Sequence, residues 1–137
     1  MRHRVSVKKF NRTSAHRKAM LSNMLTSLLK YEKIETTKEK GRAIKQLADK
    51  IIYRAKTDNI HNRRIIARYV KDETILRKLF KDIAPRYLDR NGGFVRKILS
   101  YKRFGDAADM CVVMLCDGSS NKTEIKKMTD YVLNKYK

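Results

Sequence analysis

The chain is poor in residues that break or staple a backbone. Its 137 positions include one proline, five glycines, two cysteines and no tryptophan. So little proline and glycine excludes a collagen-like or low-complexity chain and favours long helices. Two cysteines are too few for a disulfide framework. They stand five apart in Met110–Cys116, a segment that reads as a strand. An odd separation in a strand sends side chains to opposite faces, so the two neither pair nor share a metal and read as small buried hydrophobes. No apolar run approaches the roughly 18 residues of a membrane span. No apolar stretch precedes a cleavage site at the N-terminus, so no signal peptide is visible. A soluble, reducing compartment, the cytoplasm, is expected. Acid is also scarce: 14 Asp and Glu face 34 Lys and Arg, a net charge of +20, and Glu32 is the first acid.

What is present suffices for one domain. The hydrophobic share is 42%, and a chain of this length buries about two-thirds of its unfolded surface. Three segments are expected: a basic N-terminal arm over 1–12, a single domain over 13–117, and a C-terminal helical extension over 121–137. The arm carries Arg2, Arg4, Lys8, Lys9 and Arg12 with little apolar material, and reads as extended, ordering on binding. A helix follows, capped by Thr13 or Ser14, with Met20, Met24, Leu25, Leu28 and Tyr31 as its apolar stripe. Lys33–Thr37 reads as a brief strand. Thr36 and Glu39 have capping-box spacing and open a helix whose stripe is Ile44, Leu47, Ala48, Ile51, Ile52 and Ala55.

Asp58-Asn59 recaps the chain for a third helix over Ile60–Val70, which projects Arg63, Arg64 and Arg68. Asp72 or Thr74 caps a fourth, with Leu76, Leu79, Phe80 and Ile83 facing the core and Pro85 ending it. Asn91-Gly92-Gly93 supplies a turn that tolerates positive φ. Phe94–Tyr101 and Met110–Cys116 read as strands joined through Lys102–Asp109. After Asp117-Gly118-Ser119-Ser120, Glu124–Lys137 reads as a terminal helix with Ile125, Met128, Val132 and Leu133 on its apolar side. The fold class is α+β: two layers in the order α-β-α-α-α-β-β, a small mixed sheet, the basic arm and the extra C-terminal helix.

Catalytic groupings are missing. Asp106 and Asp109 are the nearest pair of loop carboxylates, and turn formation accounts for them. His3, His16 and His61 all lie near arginines, which repel a divalent ion, so no metal and no cofactor is expected. Gly92-Gly93 lacks the phosphate-loop pattern, and Ser14 or Ser22 with His16 has no orienting acid. The chain does not read as an enzyme.

Binding chemistry is abundant. Arginine and lysine satisfy phosphate oxygens, and arginine's planar fork also takes base edges. Charge placement nominates Lys8, Lys9, Lys18, Lys56, Arg68, Arg86, Arg90, Lys97, Lys102 and Arg103. Aromatics are few and lack the signature of an RNA-stacking sheet, so most rings are assigned to the core. A DNA reader gathers its cations on one recognition element. Cations on the arm, helices and hairpin suit a folded RNA wrapped around the domain. No membrane partner is expected, and no DNA. The alternatives are a DNA-compacting architectural protein and, more remotely, a nuclease.

Met1-Arg2-His3-Arg4, Asn11-Arg12, His16-Arg17 with Ala19, Asn23 and Ser27-Leu28 resemble the opening of the bacterial large-ribosomal-subunit protein family numbered seventeen. The likeness continues through Ile34-Glu35-Thr36-Thr37, Ala55-Lys56-Thr57, Asn62-Arg63-Arg64 and Leu79-Phe80. Pro85-Arg86-Tyr87 and Gly92-Gly93-Phe94 with Arg96 complete it. It covers about residues 1–117, and its start at Met1 argues against a transit peptide despite the Arg-rich, acid-free opening. The resemblance implies a structural protein that binds 23S-type rRNA near the rim of the peptide exit tunnel, among neighbouring large-subunit proteins. It also implies rRNA contacts for Arg2, His3, Arg4, Arg12, His16, Arg17, Asn23, Arg63, Arg64 and Arg96. The segment from Asn121 onward lies beyond the shared core.

Overall fold

The computed structural model describes residues 8–116 together with Asp130 and Asn134. Apart from those two residues, the expected C-terminal extension over 121–137 lies outside the described residues. The elements run α1 (Ser14–Tyr31), β1 (Lys33–Thr37), α2 (Lys38–Ala55), α3 (Ile60–Ala67), α4 (Glu73–Lys78), β2 (Val95–Lys102) and β3 (Asp109–Leu115). Side chains at the helix starts account for most boundaries. The Thr13 hydroxyl accepts from His16 N, Asn59 Oδ1 from Asn62 N, and Asp72 Oδ1 from Thr74 N, each satisfying a backbone donor that the first turn leaves unpaired. The Thr36–Glu39 capping box does not form. Both threonines stay in β1, paired with Cys111 and Met110, and α2 starts directly at Lys38 without a side-chain cap.

The apolar stripe of α2 is buried as read, with Leu47 half-covered. In α1 the buried residues are Leu25, Leu28 and Leu29, while Tyr31 is 65% exposed. The helix is therefore rotated slightly from the periodicity reading, because Leu29 rather than Tyr31 meets the core. After α4 the chain continues through a wider π-helical turn, Leu79–Ile83, and a 3₁₀ turn, Ala84–Tyr87. The Ala84 N–H reaches back to Leu79 O, and Pro85, with no N–H, cannot extend the regular ladder. Leu79 and Ile83 are buried on this run, and Leu76 and Phe80 pack partly against the core.

The sheet order is β1-β3-β2, and β3 is antiparallel to both neighbours. The sheet is thus wholly antiparallel, not mixed. The short β2–β3 connection fixes one pairing, and the last strand enters between the other two, so β1 and β2 never touch. Val113 pairs Ile34 on one side and Lys97 on the other. Helices cover one face, giving the two-layer α+β arrangement expected. Asp49 of α2 accepts the Val95 N–H at 3.0 Å and so ties the helix layer to the start of β2.

The layers meet closely at Gly41, in the first turn of α2. A Cβ there would overlap Cys111 Sγ and stand 3.1 Å from Val113 Cγ2. Both cysteines are free and buried, and Cys111 is part of the floor on which the helix rests. Glycine in a helix costs about 1 kcal/mol against alanine, but overpacking a core costs about 1–3 kcal/mol. Gly41→Ala should therefore lower the urea midpoint despite its better helix propensity. Adding Cys111→Ala should recover part of the loss. A Gly41→Ala chain as stable as the parent would show that α2 lifts off the sheet without penalty.

Candidate nucleic-acid interface

The described end of the arm does not run free. Lys9–Arg12 form a turn closed by Arg12 N to Lys9 O at 3.2 Å, with Phe10 and Asn11 at φ 57° and 49°. Phe10 lines a pocket with Leu21 of α1 and Ala43 and Leu47 of α2, so an apolar anchor holds the turn against both helices. Lys8 lies 3.7 Å from the Glu39 carboxylate. Arg12 Nη1 stands 2.6 Å from His16 Nε2; arginine only donates, so the imidazole nitrogen accepts. Arg17 Nη1 donates to Arg12 O at 3.4 Å. Arg12, His16 and Arg17 thus form one connected group at the start of α1.

A second group is assembled across the fold. The Ser22 hydroxyl donates to the Tyr69 carbonyl and fastens the end of α3 to α1. That contact brings Lys18 and Asn23 of α1 beside Arg68 and Lys71 of the α3–α4 connection, where they line one groove. Arg64 is exposed on α3. Lys18, Arg64, Arg68 and Lys71 have no acidic partner among the described residues, and α1 itself contains no acid. Lys71 was not singled out in the sequence. Asp72 beside it suggests a neutralised pair, but that carboxylate is occupied in capping α4 through Thr74.

Other nominated cations are already engaged by groups of the protein itself. Arg63 grips Asp58 through Nε and Nη2, both at 2.6 Å, and stacks over the Phe80 ring at 5.2 Å. Those hydrogen bonds hold the Asp58 carboxyl below its ordinary range. Arg86 pairs with Glu32 at 2.8 Å, and Lys78 reaches the same carboxylate at 3.1 Å. Burial pushes the Glu32 carboxyl up, but the two cations outweigh it and leave it lowered. Arg103 engages Asp106 at 2.5 Å across the β2–β3 hairpin. Lys56 donates to Arg90 O at 2.6 Å and lies 5.7 Å from the Tyr53 ring centroid.

Lys97 is half-buried on the helix-facing side of the sheet, its stem beside Gly41. Arg96 and Lys102 are exposed on β2, Lys9 is exposed in the arm turn, and Arg90 is half-buried after Tyr87. Arg2, His3 and Arg4 lie outside the described residues. Of the rings assigned to the core, Tyr87 and Phe94 are there and pack at 5.2 Å, whereas Tyr53 and Phe104 are exposed and Phe104 is fully so. Among the described residues no cluster of side chains could hold a metal ion, and no helix is long and apolar enough to cross a membrane.

Comparison with known proteins adds a family. The sequence model described as "Ribosomal protein L17" matches residues 20–116. The Large ribosomal subunit protein bL17 of Borrelia hermsii is 47% identical over 117 residues, covering 85% of this chain and 95% of that protein. Its namesake in Treponema denticola is 46% identical over 124 residues, 90% of this chain and 69% of the relative. That of Thermodesulfovibrio yellowstonii is 45% identical over 127 residues, 93% and 96% respectively.

The acid-paired arginines separate experimentally from the unpaired ones. The hydrogen bonds from Arg103 hold the Asp106 carboxyl down at about 2. An NMR titration should therefore find its midpoint near that value, rising into the usual carboxylate range in Arg103→Ala. The pair forms above the ordinary carboxylate pKa and is lost as pH falls through the lowered one. An unchanged midpoint in the variant would mean that the arginine does not hold the carboxylate in solution.

Proposed function

The chain belongs to the ribosomal protein L17 family, and on that footing we propose that it is a structural constituent of the large ribosomal subunit. It binds large-subunit, 23S-type rRNA by charge neutralisation, in the cytoplasm and near the rim of the peptide exit tunnel. The role is structural rather than enzymatic. The observation that carries the binding mode is the acid-free surface of α1, continued across Ser22–Tyr69 by Arg68 and Lys71. Phosphates brought against that surface meet cations with no competing carboxylate. Asn23 and the hydroxyls nearby add short hydrogen-bonding groups suited to ribose.

The binding surface is smaller than the total charge suggests. Lys9, Arg12, His16, Arg17, Lys18, Asn23, Arg64, Arg68 and Lys71 carry it, with Arg96 and Lys102 on the hairpin side. Arg2, His3 and Arg4 extend it along the arm. Arg63, Arg86 and Arg103 shape the protein instead, since acids already occupy their guanidinium groups. Neighbouring large-subunit proteins complete the surroundings.

If several phosphates are engaged, affinity for large-subunit rRNA should fall by orders of magnitude between about 50 and 200 mM salt. Lys18→Ala and Arg68→Ala should each flatten the salt slope by roughly one and leave circular dichroism unchanged. Arg63→Ala should instead lower thermal stability with little effect on the slope. An affinity that barely moves with salt would refute neutralisation. Cofractionation with the nucleoid rather than with sedimenting large subunits would favour the DNA-compacting alternative.

A further inference from the structure

The central strand β3 is apolar and buried on both faces of the sheet, and the described helices account for only one of them. Cys111, Val113 and Leu115 of β3 join the main core with Leu25, Leu28 and Leu29 of α1 and the stripe of α2. The alternate residues point the other way, as a strand requires. There Val112 and Met114 form a separate cluster with Ile98 of β2, exposed by only 1%, 7% and 7%, and no described helix contributes to it. An antiparallel sheet in a two-layer domain ordinarily presents its second face to water and is polar there. One end of this face is bridged by Tyr101, whose phenol hydrogen-bonds to the Glu35 carboxylate. Glu35 in turn pairs with Val112. At the other end Met114 pairs with Lys33 and Arg96.

We propose that the C-terminal segment of the same chain, residues 121–137, folds as an amphipathic helix and covers this second face. The chain leaves β3 at Leu115, and Asp117-Gly118-Ser119-Ser120 supplies the residue types that reverse a backbone. Ile125, Met128, Val132 and Leu133 follow at i, i+3, i+7 and i+8, one apolar stripe. Asp130 and Asn134, the two described residues of this segment, are both helical and both exposed. In a helix they fall on the side away from that stripe, so water lies where the polar face should be. Dimensions agree as well. Fourteen residues, Glu124–Lys137, make a helix of about 21 Å. The seven residues of β3 span about 23 Å. A helix this short is marginal alone in water and needs a surface to pack on. Ile98, Val112 and Met114 provide one.

The test uses the full-length chain without RNA, so its outcome is independent of the ribosomal reading. Met128→Asp and Val132→Asp should each lower the Tm by roughly 5 °C or more. Each should also reduce the helical circular dichroism signal and speed amide exchange in β2 and β3. Asn134→Asp, on the water-facing side, should change none of these. Should the aspartates prevent folding, Met128→Ala and Met114→Ala replace them. Their combined Tm loss should then be smaller than the sum of the single losses, as for residues that touch. Unchanged Tm and helicity in the segment variants would overturn the proposal and leave the face to its own flanking side chains. A concentration-dependent dimer, dissolved by Met114→Asp and indifferent to Met128→Asp, would overturn it in favour of a second copy.

Discussion

Insertion of β3 between β1 and β2 is the constraint on which the other contacts depend. Its seven residues pair with a strand that left the growing chain far earlier and with the strand just before it. Only when this central strand is seated do Cys111 and Val113 become the floor for α2 and Ile34 gain a neighbour. The loop closed by the β1–β3 pairing contains α2, α3 and α4, so the cost of ordering it is met by long-range apolar burial. Gly41 records how close the resulting approach is, since the helix and the central strand leave no room for a methyl group.

That geometry also sorts the charge. A chain with a net +20 has more cations than its acids can satisfy, and the fold decides which remain available. Glu32, the left-handed residue ending α1, collects Arg86 and Lys78 from the other end of the helical layer. Asp109 takes Lys38, while Asp58 and Asp106 take arginines from their own neighbourhoods. Solvent-exposed pairs of this kind add little stability each. Their larger effect is to remove cations from the surface offered to a polyanion. Those left without an acidic partner among the described residues include Lys18 on the acid-free α1 and Arg68 and Lys71 on the adjoining α3–α4 connection.

Much of the fold was legible because it is written in local periodicity. The α2 stripe, the caps at Thr13, Asn59 and Asp72, the positive φ of Gly93 and the two hairpin strands all follow from residues within a few positions of one another. The misreadings have a common cause in packing. Tyr31 satisfies the α1 spacing as well as Leu29 does, and only the neighbouring helix distinguishes them. Thr36 and Glu39 have capping-box spacing, but strand pairing claims Thr36 first. Strand order is a property of the whole chain, which is why a mixed sheet was as compatible with the pattern as the antiparallel one. Composition assigns most rings to the core, and Phe104, at the hairpin tip, is one that stands in solvent.

The candidate interface divides along the same line. The sequence by itself determined the family, the α+β class and the acid-free stretch before Glu32, because these are matters of residue type and order. Only the tertiary structure decided which cations are paired with acids and which are left without an acidic partner among the described residues. Arg86 and Glu32 are 54 residues apart, Lys38 and Asp109 are 71, and Ser22 finds Tyr69 across 47. Ion pairing acts over a few ångströms in space, and separation along a chain says nothing about such distances until the backbone has been folded.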